Sequence, residues 1–291
     1  MELREVIAKL RKFEILIRKA VDTQMHGDFN SIFKGSGLEF DDVRAYQYGD
    51  DVRTIDWNVS AKGQGTYIKT FKEEKEQNVF FILDVSASQF IGKPSAQKID
   101  IAKEICGVLT FSAIKENSSV GLLCYSSEKE RYIKPKKGIK HAFEIIGGLY
   151  RLETKSLKTN LQAAMAMAMS IIKRKSIIVL ISDFVDTDYE QRLKGLAKRH
   201  DLIVIHLADI REFDIPNLGI VPIYDKESQK TVWKDTSSKE FRLSVENFKN
   251  KQATLQSLCR QNKANYLYIN TSEEYLPKLI KLFNIRNRTK K

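Results

Sequence analysis

From Asn78 onward the chain alternates short, continuously apolar runs with longer amphipathic ones, and this constrains its fold more than any other feature. Residues 79–83, 120–125, 176–182 and 202–207 are rich in β-branched and aromatic side chains, with no polar face, and read as buried strands. Residues 98–114, 139–149, 160–173 and 189–200 carry helical spacing; in the first, Ile101, Ile105, Val108 and Leu109 share one face. Segment 160–173 is apolar almost all round and is expected to be buried. A hairpin over 219–224 and 230–234, turning at Asp225-Lys226-Glu227-Ser228, precedes a helix over 239–262, a strand over 265–269 and a helix over 272–283. Strands and helices alternating in this way predict an α/β fold: a doubly wound, mostly parallel sheet flanked by helices.

The N-terminal quarter differs. Leu3, Val6, Ile7, Leu10, Phe13, Ile17 and Ala20 recur at helical spacing, predicting an amphipathic helix over 2–20. Residues 22–37 have loop composition, and 37–75, dense in charge and aromatics, predict short strands and turns ending in a strand over 66–71. The expected organisation is therefore an N-terminal helix and charged segment (1–77), an α/β domain (78–283) and a frayed basic tail (284–291).

The net charge is +12, but residues 1–77 carry 13 basic and 14 acidic side chains, leaving +13 on the remainder. No aromatic-interleaved basic motif or groove-reading helix accompanies it, so the charge reads as a solvated lysine-rich surface rather than a nucleic-acid site. No run of about 18 apolar residues occurs, which argues against a membrane span. Cys106, Cys124 and Cys259 are scattered, lack metal-type spacing and read as buried reduced thiols of a cytoplasmic protein.

The chemistry concentrates at Asp84-Val85-Ser86-Ala87-Ser88, directly after the strand over 79–83. One carboxylate and two hydroxyls fall at the C-terminal edge of the sheet, where open α/β sheets bind ligands. They suit a hard cation such as Mg2+. A phosphotransferring aspartate of the haloacid dehalogenase type would want a second acid where Ser86 stands. His26, His141, His200 and His206 are spread out, no cysteine or histidine stands in nucleophile–base spacing, and there is no Walker-type or dinucleotide-binding glycine loop.

Asp84-x-Ser86-x-Ser88 resembles the first element of the metal-ion-dependent adhesion site of von Willebrand factor type A domains. That site also takes a Thr from a later loop and an Asp after a later strand, and Thr159 (with Thr154 as its rival) and Asp183 stand in that order. The resemblance implies a Rossmann-like von Willebrand A fold. Ser86, Ser88 and Thr159 would supply oxygens to Mg2+ (Mn2+ and Ca2+ being alternatives), Asp84 and Asp183 would act directly or through water, and a partner's acidic residue would complete the shell. Thr159-Asn160-Leu161-Gln162 also fits a helix capping box with Thr159 as the cap. Lys158, where that pattern often has a small residue, is a departure that bears on cation affinity.

Upstream, Gly35-Ser36-Gly37-Leu38-Glu39-Phe40, Val43-Arg44-Ala45-Tyr46, the string Gly49-Asp50-Asp51-Val52-Arg53-Thr54-Ile55-Asp56-Trp57, and Ser60-Ala61-Lys62 closely resemble the bacterial family called domain of unknown function 58. That family joins such a segment to a von Willebrand A-like domain. The resemblance implies a non-catalytic, metal-dependent adaptor whose partner is a MoxR-type AAA+ ATPase engaged in protein maturation or remodelling. Within the string, Asp50, Asp51, Arg53 and Asp56 are expected either to ion-pair and fix a loop that Trp57 anchors on the sheet, or to form with Gly49 and Trp57 a partner-binding surface beside the metal edge. The alternative function is a metal-dependent hydrolase or phosphotransferase using Asp84 or Asp183, with Glu39 or Asp56 as base if the N-terminal segment covers the site.

Overall fold

The computed structural model describes residues 34–289 except 64 and 95. The helix expected over 2–20 lies outside them. The first described elements are two antiparallel strands, β1 (Lys34–Ala45) and β2 (Tyr67–Glu76), joined through a short 3-10 turn (Val52–Thr54) and one helical turn, α1 (Trp57–Ser60). Gly35 and Gly37, expected in a loop, are part of β1. The register of the pair shifts between Gly35 and Leu38, an irregularity of the sort that glycine within a strand accommodates.

One residue, Gln77, separates β2 from β3 (Asn78–Asp84), the strand that carries the Asp84 motif. After β3 come a 3-10 turn (Ala87–Phe90), a two-residue hairpin of β4 (Gly92–Lys93) and β5 (Ala96–Gln97), and helix α2 (Lys98–Lys115). Next are β6 (Ser119–Tyr125), β7 (Lys129–Lys136), α3 (Ile139–Tyr150), α4 (Leu161–Ile171), β8 (Ile177–Ser182), α5 (Glu190–Arg199) and β9 (Asp201–Ala208). A separate hairpin, β10 (Ile220–Asp225) and β11 (Lys230–Asp235), precedes α6 (Lys239–Gln261), β12 (Asn265–Asn270) and α7 (Tyr275–Thr289).

The central sheet has six strands in the order β12-β9-β8-β3-β6-β7, and only β7 runs antiparallel to its neighbour. Alternation along β3 sends Val79, Phe81 and Leu83 to one face and Phe80 and Ile82 to the other. The first face packs on α2, α3 and α7 through residues such as Ile105, Ile145 and Phe283. The second packs on α4, α5 and α6 through Met165, Leu193 and Leu255. Both faces are covered, as a buried parallel sheet requires. The doubly wound, mostly parallel expectation holds. Strand order proceeds from β3 to one side through β6 and β7, then to the other through β8, β9 and β12. The C-terminal ends of β3 and β8 thus form the switch point of the sheet, where ligand crevices open.

Two expectations need correction. Helix α4 buries Leu161, Ala164, Met165 and Ala168 but exposes Gln162, Ala163 and Ser170, so its apolar composition covers one side of the sheet rather than lying inside it. The tail expected to fray from residue 284 continues α7 to Thr289, because Arg286 is buried and ion-paired to Asp201 at the start of β9. The cysteines are free and buried, and no helix among the described residues is long and apolar enough to cross a membrane.

Gly121 shows how tightly β3 and β6 are fitted. It stands opposite Phe80, and a Cβ there would lie 2.5 Å from the Phe80 ring and 2.9 Å from Pro135. Gly121→Ala is expected to cost about 1–3 kcal/mol through overpacking, read as a lower urea midpoint at unchanged m-value.

Candidate metal centre

At the switch point, β3 ends on Asp84, whose side chain is fully buried. Its Oδ1 accepts from the Ser86 backbone N–H at 3.0 Å and the Ser86 hydroxyl at 2.7 Å. Its Oδ2 accepts from the Ser182 hydroxyl at 2.7 Å and the Gln89 amide at 3.3 Å. Each of these donors is neutral. Burial, reinforced by the charge of Asp183, pushes the Asp84 carboxyl up to about 7, against the opposing pull of its hydrogen bonds.

Asp183, one residue past β8, is buried beside it. Here the sequence reading missed the decisive partner. Lys98, the first residue of α2, has no solvent exposure; its ammonium lies 2.7 Å from Asp183 Oδ2 and 2.5 Å from Glu212 Oε1. Burial alone would pull the ammonium down, but the two carboxylates hold it above the ordinary lysine value. Burial likewise opposes ionisation of Asp183, and Lys98 and Ser88 overcome it, leaving that carboxyl below its usual range. Phe184, which follows, takes a φ of 53°, uncommon for a bulky residue; its N–H donates to Ser182 Oγ at 3.2 Å.

The loops are stitched into one rim. Val85 N–H donates to the Tyr125 carbonyl and Ala87 N–H to that of Leu157, each at 2.9 Å, while Asn160 N–H reaches the Ser126 carbonyl at 3.2 Å. Glu130 pins the same rim by accepting from the Ser126 hydroxyl and from the N–H groups of Lys155 and Ser156. Thr159 is not the helix cap. Asn160 caps α4 by accepting from Ala163 N–H at 2.8 Å, and Asp186 takes the Leu161 N–H. The Thr159 hydroxyl instead donates to Glu227 Oε1, 2.8 Å away on the turn of the β10–β11 hairpin.

Among the described residues, no three or more His, Cys, Asp and Glu stand close enough to hold a metal ion. The donor set here is different: two carboxylates and the hydroxyls between them. The Ser86 hydroxyl commits its proton to Asp84 and that of Ser88 hydrogen-bonds Asp183, yet the two oxygens stand 3.1 Å apart. Neighbouring ligands of an octahedral Mg2+, at about 2.1 Å from the ion, are spaced about 3 Å apart. Hydroxyls that give their protons to carboxylates keep lone pairs free for a cation. The residues present therefore fit a divalent ion, with Lys98 compensating Asp183 and Glu212 and leaving Asp84 as the acid without a positive neighbour among its hydrogen-bond donors.

The histidine on the strand beside Ser182 is a poor base. His206, opposite Ser182 across β8 and β9, is pushed down to about 4 by burial, and its Nδ1 pairs with the Tyr266 hydroxyl at 2.8 Å.

The 49–57 string is placed elsewhere. Asp50 forms a bidentate pair with Arg44, Asp51 pairs with Arg53, and Asp56 caps α1 and faces Lys69 at 3.6 Å. These contacts stay within the β1–β2 ribbon, which enters β3 at the end opposite Asp84. Trp57 is 70% exposed, and so does not anchor the loop as expected; Tyr48 and Val52 are exposed with it.

The chain matches the family described as "Protein of unknown function DUF58" over residues 42–255. It is 26% identical over 229 residues to the uncharacterized protein Rv1480 of Mycobacterium tuberculosis, covering 77% of this chain and 72% of that protein, and equally to the uncharacterized protein Mb1516 of Mycobacterium bovis. Among solved structures, the conserved hypothetical protein BatB of Bacteroides thetaiotaomicron is 12% identical, with a TM-score of 0.49 covering 74% of this chain and 100% of that one. The SpRpn10 VWA domain is 12% identical, with a TM-score of 0.39 covering 70% and 94%.

Proposed function

This chain belongs to the DUF58 family, and on that footing we propose that it is a non-catalytic protein-interaction module that engages an acidic residue of a partner through a divalent cation. The Ser86 and Ser88 oxygens, 3.1 Å apart with their protons turned toward carboxylates, carry this reading. Asp84, Ser86, Ser88, Thr159 and Asp183 would hold the ion, Mg2+ by preference for hard oxygen donors. When bound, the ion supplies a charge that can be shared between these oxygens and a carboxylate from outside. Lys98 and Glu212 then position Asp183, and Ser182 and Gln89 orient Asp84. The family resemblance read from the sequence makes a cytoplasmic MoxR-type AAA+ ATPase the partner. The exposed Val52 and Trp57 of the 49–57 segment, with Tyr48 just before it, offer it a second, apolar contact.

The test is capture of the purified MoxR-type ATPase from the same host by wild type and Asp84→Asn, in Mg2+ and in chelator. Capture that needs Mg2+ and is lost in the variant is the expected result. Capture indifferent to both would overturn the metal-dependent reading and shift attention to the 49–57 segment.

A further inference from the structure

The β10–β11 hairpin stands apart from both layers of the fold. Among the described residues its strands pair only with each other, and β11 is exposed along its whole length. A neck at Gly219 and Thr236 closes its base: Thr236 N–H donates to the Gly219 carbonyl at 2.8 Å, and the Thr236 hydroxyl does so at 2.9 Å. At the other end, Asp225 accepts from Glu227 N–H and from the Ser228 hydroxyl, which shapes the turn. Two side chains of that turn reach the rim of the candidate centre. Lys226 Nζ donates to the Phe90 carbonyl at 2.5 Å, just past the Asp84–Ser88 loop, and Glu227 accepts the Thr159 hydroxyl at 2.8 Å. Glu227 is partly buried there and close enough to Asp183 to feel its charge.

The hairpin thus delivers a carboxylate to a hydroxyl of the candidate centre from within the chain, over a sequence separation of 68 residues. Resting on the metal-dependent reading above, we propose that Glu227 is the chain's own occupant of the position a partner's acid would take, and that the partner gains entry by displacing the tip of the hairpin. Lys226 holds the tip down through one backbone carbonyl, so the lock is local and reversible. The free protein is then closed to stray acidic ligands, and a partner must both lift the hairpin and supply a carboxylate.

Glu227→Gln tests this, because the amide oxygen still accepts from Thr159 and the turn hydrogen bonds of Asp225 are untouched. Mn2+ alone is titrated into the wild type, Glu227→Gln and Asp84→Asn by calorimetry. The turn peptide, residues 224–231, is then added in trans with Mn2+. The expected result is Mn2+ affinity lower by about tenfold or more in Glu227→Gln, with the peptide binding that variant and excluded from wild type. Equal Mn2+ affinity in wild type and Glu227→Gln, with binding lost in Asp84→Asn, would overturn the role of Glu227 and leave the metal centre standing. So would peptide binding that does not distinguish the two. No Mn2+ binding to any of the three would overturn the metal reading and this proposal together.

Discussion

Replacing Lys98 by methionine is expected to lower the unfolding free energy by about 3–5 kcal/mol, among the largest effects of any single substitution in this chain. The ammonium is fully buried and is the described ion-pair partner of two carboxylates, Asp183 at 2.7 Å and Glu212 at 2.5 Å. Methionine fills a similar volume, so the loss is electrostatic. Two carboxylates are left to choose between ionising without a counter-charge and taking up protons. Lys98 also stands in the first turn of α2, where the helix dipole disfavours a cation, so its two anions must offset that cost as well as desolvation. The check is urea unfolding of both proteins at neutral pH. A loss below about 1 kcal/mol, the range of an exposed pair, would mean that the triad is solvated and does not hold Asp183 in place.

The second large effect is one of opposite sign. Asp84→Asn is expected to stabilise the cation-free protein at pH 8 while abolishing cation binding. The Asp84 carboxyl is pushed up to about 7 by burial and by Asp183, against 3.8 for a free aspartate. A raised acid binds a proton in the folded state that it has already lost in the unfolded one. Its contribution is therefore fully present below about pH 4 and is lost as the pH rises through about 7, a change on the order of 4 kcal/mol. Asparagine removes that dependence and retains an oxygen for the Ser86 donors, while the Ser182 hydroxyl can turn to accept. Thermal unfolding from pH 4 to 8, with and without Mg2+, reads all of this. Wild type should lose stability with rising pH and regain it with Mg2+, by about 2.7 kcal/mol at a hundredfold excess over Kd. The variant should be flatter and blind to Mg2+. Parallel profiles for the two would show that Asp84 is ordinarily solvated and not poised for a cation.

The expected trade of stability for proposed cation binding has a physical source. A carboxylate is buried among neutral donors at the end of β3, and the buried ammonium of Lys98 is committed to Asp183 and Glu212. On the metal-dependent reading proposed above, a divalent ion would satisfy that charge.

Local pattern carried the sequence reading a long way. The strand leading to Asp84, the helix after it, the β8 strand before Asp183 and the β10–β11 hairpin all fall within a residue or two of their expected places, because periodicity and turn composition are properties of neighbouring residues. The same logic put Asp84, Ser86 and Ser88 at one edge, at and just after the end of a strand, and the family resemblance added Asp183 after a second strand. It failed where two adjacent residues could serve equally. Thr159 and Asn160 are both good helix caps, and the choice went to Asn160 because its N–H is tied to Ser126 while Thr159 is drawn to Glu227. It failed also for Trp57, whose aromatic bulk suggested an anchor but which sits exposed.

The sequence by itself determined which segments become strands and helices, which faces they bury, and that an acid and two hydroxyls emerge at the C-terminal edge of a parallel sheet. Only the tertiary structure decided what surrounds them. Lys98 meets Asp183 across 85 residues and Glu212 across 114, Ser182 meets Asp84 across 98, and Glu227 meets Thr159 across 68. No period or local motif encodes such pairs. They arise when burial brings distant charged and polar groups together, where each must find a partner or pay the cost of desolvation.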